Sequence, residues 1–309
     1  MDAKQTLHYR ASEDAVAVKS GRKAELSGIC FVMPVTRFAP SPTGRLHIGH
    51  AFSALFARGQ AGPGGTMLLR LEDIDVTRCR PDYAAGIETD LAWLGLDWPK
   101  PVRRQSEHFA EYRAALERLI LRGLAYPCFC TRAQLAAAMA APHEGEPVYP
   151  GTCRALSPEE RGARIAAGEA HGWRLDVAAA LAETGPLTWR DLDHGIVPAT
   201  PLAGGDVLIA RKDIPASYHL AVTWDDALQG VELVTRGEDL FTATHVHRLL
   251  QALLDLPVPV WRHHRLLLDA EGKRFAKRDR APTLAAMREA RVSAAELRAR
   301  AGFPDQPAA

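Results

Sequence analysis

Arg37-Phe38-Ala39-Pro40-Ser41-Pro42-Thr43-Gly44-Arg45-Leu46-His47-Ile48-Gly49-His50 reads as the end of a β-strand, a tight turn and the opening turn of a helix. Pro42 and Gly44 make the turn and let backbone approach a bound group. His47 and His50 stand three residues apart, so on a helix they share one face. A helix N-terminus offers unpaired N–H groups and a partial positive charge, which together attract phosphate. The two imidazoles add side-chain donors to the same anion. An ordinary capped helix would account for a bare H-x-G-H, but not for the whole string.

Outward from this element, short apolar runs alternate with amphipathic stretches, the pattern of a parallel sheet flanked by helices. Strand-like segments fall at 36–39 and 66–71, and helical ones at 46–58, 82–94 and 108–122. The rhythm breaks near Cys128, where an Ala-rich helix (132–141) and a Pro/Gly-rich loop read as an insertion. Alternation resumes near Trp173 and continues through 206–210, 218–222 and 231–235, read as strands. A helix at 244–254 and a strand-like 266–268 precede the basic loop 271–280. No fixed-period repeat is present.

Composition narrows the class. With 309 residues and 47% of them apolar, the chain can bury a real core. Its 38 basic and 37 acidic residues nearly cancel, so bulk charge does not advertise nucleic acid, although a local basic patch would suffice. No apolar run is long enough to span a membrane. The run at 27–34 is short and closely preceded by Lys, Arg and Glu, unlike a signal peptide. Five unevenly spaced cysteines point to a reducing cytoplasm and not to a disulfide framework. Residues 1–33 read as an extension or a mis-assigned start and receive no function.

His47-Ile48-Gly49-His50 matches the "HIGH" signature, letter for letter, and the chain thereby resembles the class I aminoacyl-tRNA synthetases. The run from Arg37 to Gly44 narrows the resemblance to the glutamyl/glutaminyl branch. It covers the chain from about Val35 to about Thr283. The implied fold is α/β: a Rossmann-type parallel sheet with an inserted zinc-bearing subdomain and a short helical tail. The expected division is 34–126 and 176–269 for the two catalytic halves, 127–175 for the insertion, and 270–309 for the basic loop and tail.

Gly272-Lys273-Arg274-Phe275-Ala276-Lys277-Arg278-Asp279 stands where the family carries its "KMSKS" loop. Lys277 falls on the second lysine, which touches ATP phosphates, while Arg274 and Ala276 depart from the signature. The resemblance therefore implies His47, His50 and Lys277 as catalytic groups, with Gly49 beside them at ATP. A carboxylate attacking the α-phosphate builds negative charge on phosphorus and pyrophosphate. Fixed donors, a lysine and Mg²⁺ lower that barrier.

For glutamate, Arg37 resembles the side-chain anchor, and Glu72 would meet the α-ammonium. Phe38, Ala39, Pro40 and Ser41 form the first loop of the pocket, and Tyr218 and Arg236 its far wall. The acidic run from Glu72 to Asp75 reads as ion pairing and not as a metal cluster, since no histidine accompanies it. Cys128, Cys130 and Cys153 supply three zinc donors. By chemistry His143 could be the fourth; the resemblance indicates Tyr149. Cys30 and Cys79 read as inert.

About thirty residues follow Lys277, too few for an anticodon-reading domain. The implied activity is tRNA-independent activation of L-glutamate with ATP and transfer to the queuosine base in the anticodon of tRNA(Asp), by a monomer needing no membrane. A truncated synthetase charging tRNA(Glu) and a non-catalytic paralogue binding RNA or amino acid are the alternatives.

Overall fold

The computed structural model describes residues 34–131, 133–135, 148–267 and 282–304. The opening strand β1 (Thr36–Phe38) is buried throughout and pairs in parallel with β2 (Met67–Leu71), which pairs in parallel with β3 (Arg103–Arg104). On its other side the carbonyl of Val35, just before β1, accepts from the amides of Glu232 (2.9 Å) and Leu233 (3.2 Å). That joins β1 to β9 (Leu233–Gly237), which runs parallel to β10 (Val260–His264). β10 pairs in parallel with β6 (Thr188–Asp191), and β7 (Gly195–Pro198) closes the edge as a hairpin.

The connections explain where a ligand fits. From β1 the chain passes through α1 (Ile48–Ala61) to β2, building one way. From β9 it passes through α7 (Phe241–Leu254) to β10, building the other way. Such a reversal opens a crevice at the carboxyl ends of the two central strands. α1 buries Ala51, Ala54, Leu55 and Ala57 against this sheet, and small residues let it lie close. The other helices are α2 (Pro81–Trp93), α3 (Phe109–Leu121), α4 (Pro158–Ala166), α5 (Val177–Thr184) and α6 (Tyr218–Leu228). In the tail, α8 (Leu284–Glu289) and α9 (Ala294–Arg300) set Leu284, Leu297 and Ala301 into the core beneath α1.

A separate antiparallel sheet comprises β4 (Ala125–Cys128), β5 (Gly172–Leu175) and β8 (Leu208–Ala210). Its third strand comes from well beyond 175, so the inserted region and the second half of the main sheet interleave in sequence.

Two expected strands are corrected. Residues 218–222 open helix α6, not a strand. The five-residue window Tyr-His-Leu-Ala-Val is apolar enough for either structure, and only the continuation through Leu228 reveals the helical face. That helix turns Asp225 and Asp226 inward, which hid its pattern. The strand expected at 266–268 lies earlier, at Val260–His264, where five successive residues pair with β9. Its ladder ends where β9 ends, and Leu266 and Leu267 run on as irregular chain; Leu268 lies outside the described residues. Of the Ala-rich helix expected at 132–141, residues 133–135 are helical and the others lie outside the described residues. Among the described residues, no helix is long and apolar enough to cross a membrane.

Candidate active site

A cavity of about 520 Å³ opens at the reversal point between β1 and β9. Arg37, Phe38, Ala39, Pro40, Ser41, His47, Gly49, His50, Glu72, Tyr218 and Arg236 all line it. They come from four separated segments, and the fold brings them together. Lys277, with the rest of 268–281, lies outside the described residues. Both flanks of that segment are at the site: Leu267 lines the cavity, Thr283 bridges His47, and Leu284 N donates to Leu46 O at 2.8 Å.

His47 is the N-cap of α1, and its Nδ1 accepts from the amide of Gly49 at 3.1 Å. His50 reaches back, its Nδ1 accepting from the amide of His47 at 3.2 Å. This reciprocal cap places the ring centroids 3.9 Å apart. With both Nδ1 atoms accepting, each neutral ring carries its proton on Nε2. The motif thus presents two N–H donors of defined tautomer beside the positive end of a helix, as phosphate requires.

The other end of the cavity is built from buried ions. Arg37 (β1) donates from Nε to Asp226 Oδ1 at 3.1 Å and from Nη1 to the carbonyl of Thr235 at 2.7 Å. Arg70 (β2) is wholly buried and donates to the same Asp226 oxygen at 2.8 Å and to Glu72 Oε1 at 3.4 Å. Despite burial, Arg37 and Arg70 hold the Asp226 carboxyl below the usual carboxylate range. Glu72 differs: burial outweighs Arg70 and Arg37 and raises its pKa above the ordinary value. Its amide donates to the carbonyl of Pro40 at 3.1 Å, which fixes the end of β2 against the first loop.

Arg236, at the end of β9, is 6% exposed. It donates to His263 Nε2 (3.2 Å), His247 Nδ1 (3.1 Å), Tyr218 Oη (3.4 Å) and the Thr244 hydroxyl. Burial lowers its pKa and raises that of Tyr218. Arg265 and Asp239 also line the cavity, and at this end of it Arg37, Arg236 and Glu72 together complement a ligand with two carboxylates and one ammonium. Arg70, Asp226, His247, His263 and Asp191 were not singled out from the sequence. The available signal was a charged residue inside an apolar run, as in Met67-Leu68-Leu69-Arg70-Leu71.

In the acidic run after β2, Glu72 and Asp75 are ion-paired as expected, while Asp73 is held by hydrogen bonds. Asp75 accepts from Arg78 at 2.7 Å and Arg211 at 2.9 Å, and Asp73 accepts from Ser106. A hydrogen bond from Thr77 leads the effects that keep the Asp75 carboxyl far below its ordinary value.

Away from the cavity, the thiols of Cys128, Cys130 and Cys153 lie within 4.8 Å of one another. Tyr149 joins them, its Oη 3.6 Å from Cys128 Sγ and 3.7 Å from Cys130 Sγ. Ligands at tetrahedral zinc with Zn–S near 2.3 Å stand about 3.8 Å apart, so the donor set fits that ion. Arg174 supports it, with Nε 3.3 Å from Cys128 Sγ and its guanidinium 3.8 Å from the Tyr149 ring centroid. His143 and Cys30 lie outside the described residues, and Cys79 is not part of the cluster.

A family model for the catalytic domain of class I tRNA synthetases (E and Q) matches residues 34–293. The chain is 49% identical over 277 residues to the glutamyl-Q tRNA(Asp) synthetase of Rhodobacter capsulatus, covering 85% of this chain and 98% of that one. Identity is 46% over 288 residues with the Symbiobacterium thermophilum enzyme of the same name, covering 88% and 87%. A solved glutamate tRNA ligase from Elizabethkingia meningosepticum, in complex with its amino acid, superposes with a TM-score of 0.65 at 27% identity. That match covers 80% of this chain but 52% of the ligase, so the chain spans about half of the longer enzyme.

Proposed function

The chain belongs to the class I tRNA synthetase family for glutamate and glutamine, and from that footing we propose that it activates L-glutamate with ATP and transfers it to the queuosine base of tRNA(Asp). It is a ligase that forms an aminoacyl-adenylate. The observation that carries the proposal is the single cavity holding a phosphate-binding helix cap at one end and two buried arginines with Glu72 at the other. Near-full-length similarity to enzymes named for the queuosine reaction, at 46–49% identity, supports the acceptor.

In the reaction, a carboxylate oxygen of glutamate attacks the α-phosphorus of ATP and pyrophosphate leaves. Glu72 receives the α-ammonium, while Arg37, Tyr218 and Arg236 receive the side-chain carboxylate. The backbone of 38–41 walls the substrate in. His47 and His50 donate from Nε2 to phosphate oxygens as charge develops. Lys277 completes the clamp; the attachment of its segment at Leu267 and Thr283 supports that role. Mg²⁺ accompanies ATP and shares the phosphate charge. The ATP and tRNA substrates of the proposed reaction favour the cytoplasm.

Glutamate-dependent ATP–pyrophosphate exchange without tRNA tests this reading. Exchange with glutamate, and not with glutamine or aspartate, followed by labelling of queuosine-bearing tRNA(Asp), is expected. Exchange that demands tRNA(Glu) would replace the reading with a glutamyl-tRNA synthetase, and no exchange at all would leave a binding protein.

Glu72 gives the exchange a pH signature. Its ionised form holds the ammonium, and its pKa is raised, so glutamate binding is intact above that value and lost as pH falls through it. KM for glutamate should therefore climb on the acid side, beginning at higher pH than an ordinary glutamate would dictate, with KM for ATP nearly level. Glu72→Gln should raise KM about tenfold or more and flatten the acid limb. An unchanged acid limb in that variant would remove Glu72 from this role.

Zinc is assigned to Cys128, Cys130, Tyr149 and Cys153 as a structural ion, closed to substrate. Metal analysis should find zinc stoichiometric with protein. Cys153→Ser should lose it and lower the melting temperature, whereas Cys79→Ser should retain it.

A further inference from the structure

Three arginines are buried around the glutamate end of the cavity, and they are not equivalent. Arg37 and Arg70 divide one carboxylate, Asp226, between them at 3.1 and 2.8 Å. Arg236, as buried as Arg37, has no carboxylate within ion-pair distance among the described residues, and its hydrogen-bond partners are an imidazole on either side and two hydroxyls. Asp226 tempers its charge only from further off. An unmatched buried cation is costly, and a fold keeps one where a ligand will match it.

The groups that touch Arg236, its cage, are arranged to stay uncharged. Asp191, at the end of β6, accepts from the amides of Asp193 (2.8 Å), His194 (3.1 Å) and His263 (3.2 Å), and lies 2.7 Å from His263 Nδ1. It therefore holds the His263 proton on Nδ1 and leaves Nε2 as an acceptor for Arg236. On the opposite side, His247 accepts from Arg236 at Nδ1, which puts its own proton on Nε2, 3.2 Å from His219 Nδ1. Burial, with Arg236 close by, drives His219 and His263 down to about 4 and His247 well below its ordinary value.

Resting on the glutamate-activating reading above, we infer that His263, held by Asp191, and His247, backed by His219, are positioning residues that orient Arg236 without neutralising it. The full guanidinium charge is thereby reserved for the substrate's side-chain carboxylate. A glutamine amide would meet the same unmatched cation with a neutral group, so the cage turns a charge difference into a substrate preference. A carboxylate in either imidazole's place would satisfy Arg236 from within the protein and repel the substrate.

The test is pyrophosphate exchange by the full chain carrying His247→Glu, His247→Gln or Asp191→Asn, with glutamate and glutamine titrated separately. His247→Glu should raise KM for glutamate about tenfold or more and shrink the glutamate-over-glutamine ratio of kcat/KM by a similar factor, with KM for ATP unchanged. His247→Gln, a neutral acceptor, should keep most of the ratio. Asp191→Asn frees the His263 tautomer and should raise KM for glutamate about fivefold, with little change in kcat. The inference is overturned if His247→Glu keeps the wild-type ratio, or if His247→Gln loses it equally. Should His247→Glu fail to fold, an unchanged glutamate KM in Asp191→Asn overturns it. If the wild-type chain gives no glutamate exchange, the underlying reading has failed instead.

Discussion

Replacing Arg70 with methionine should cost the fold about 3–5 kcal/mol, because it strands buried carboxylates and not because it removes a favourable bridge. Arg70 is wholly buried and faces Asp226 at 2.8 Å, Glu72 at 3.4 Å and Asp225 at 3.9 Å. Asp225 would survive the loss, since Arg103 (2.9 Å), Gln105 (2.9 Å) and Tyr112 (2.8 Å) also hold it. Among the described residues, Glu72 would lose its one hydrogen-bonded cation, and Asp226 would keep Arg37 alone. Chemical denaturation should show the midpoint shifted with the slope preserved. At about 2–4 °C per kcal/mol for a chain of this size or a little less, the melting temperature should fall by roughly 10 °C. Adding Asp226→Asn should return part of the loss, since the stranded charge is the damage. A variant as stable as the parent would mean these carboxyls are protonated in the folded state.

How much of this was legible depends on whether the physics is local. The helix cap from Arg37 to His50 is contiguous, and its turn residues and histidines carry their meaning at fixed spacing. The thiols of Cys128 and Cys130 advertise themselves in the same way. Tyr218 and Arg236 came only through resemblance, because nothing nearby marks them. The mutual dependence of Arg37, Arg70 and Asp226 joins residues up to 189 apart, and no local pattern encodes such a pairing. His263 shows the limit most clearly: nothing in Trp261-Arg262-His263-His264 singles it out, and the strand is expected only at 266–268. Its consequence arises from β6 delivering Asp191 on one side and β9 delivering Arg236 on the other. The inward aspartates of α6 had a double effect, concealing the helix and the site it completes.

The largest catalytic effect should come from the helix cap. His50→Ala should lower kcat for adenylate formation about 10²–10³-fold, the usual consequence of losing one transition-state donor. Two losses are mixed in that variant, because His50 also accepts the amide of His47 at 3.2 Å and so orients the other ring. His50→Asn separates them: its short side chain can still accept from that amide but cannot carry a donor as far as Nε2. If the cap alone mattered, asparagine would restore most of the rate; if the donor matters, it should restore little. KM for glutamate should change less than about threefold in both variants, since Arg37, Glu72 and Arg236 are held from β1, β2 and β9 and not from α1. Lys277→Ala should show the same split, a large fall in kcat with glutamate binding kept. Charge on the leaving pyrophosphate forms only in the transition state, so groups aimed at it act on turnover. Equal falls in kcat for all three variants, with the His50→Ala/Lys277→Ala double variant no slower than either single, would show the two elements working as one clamp.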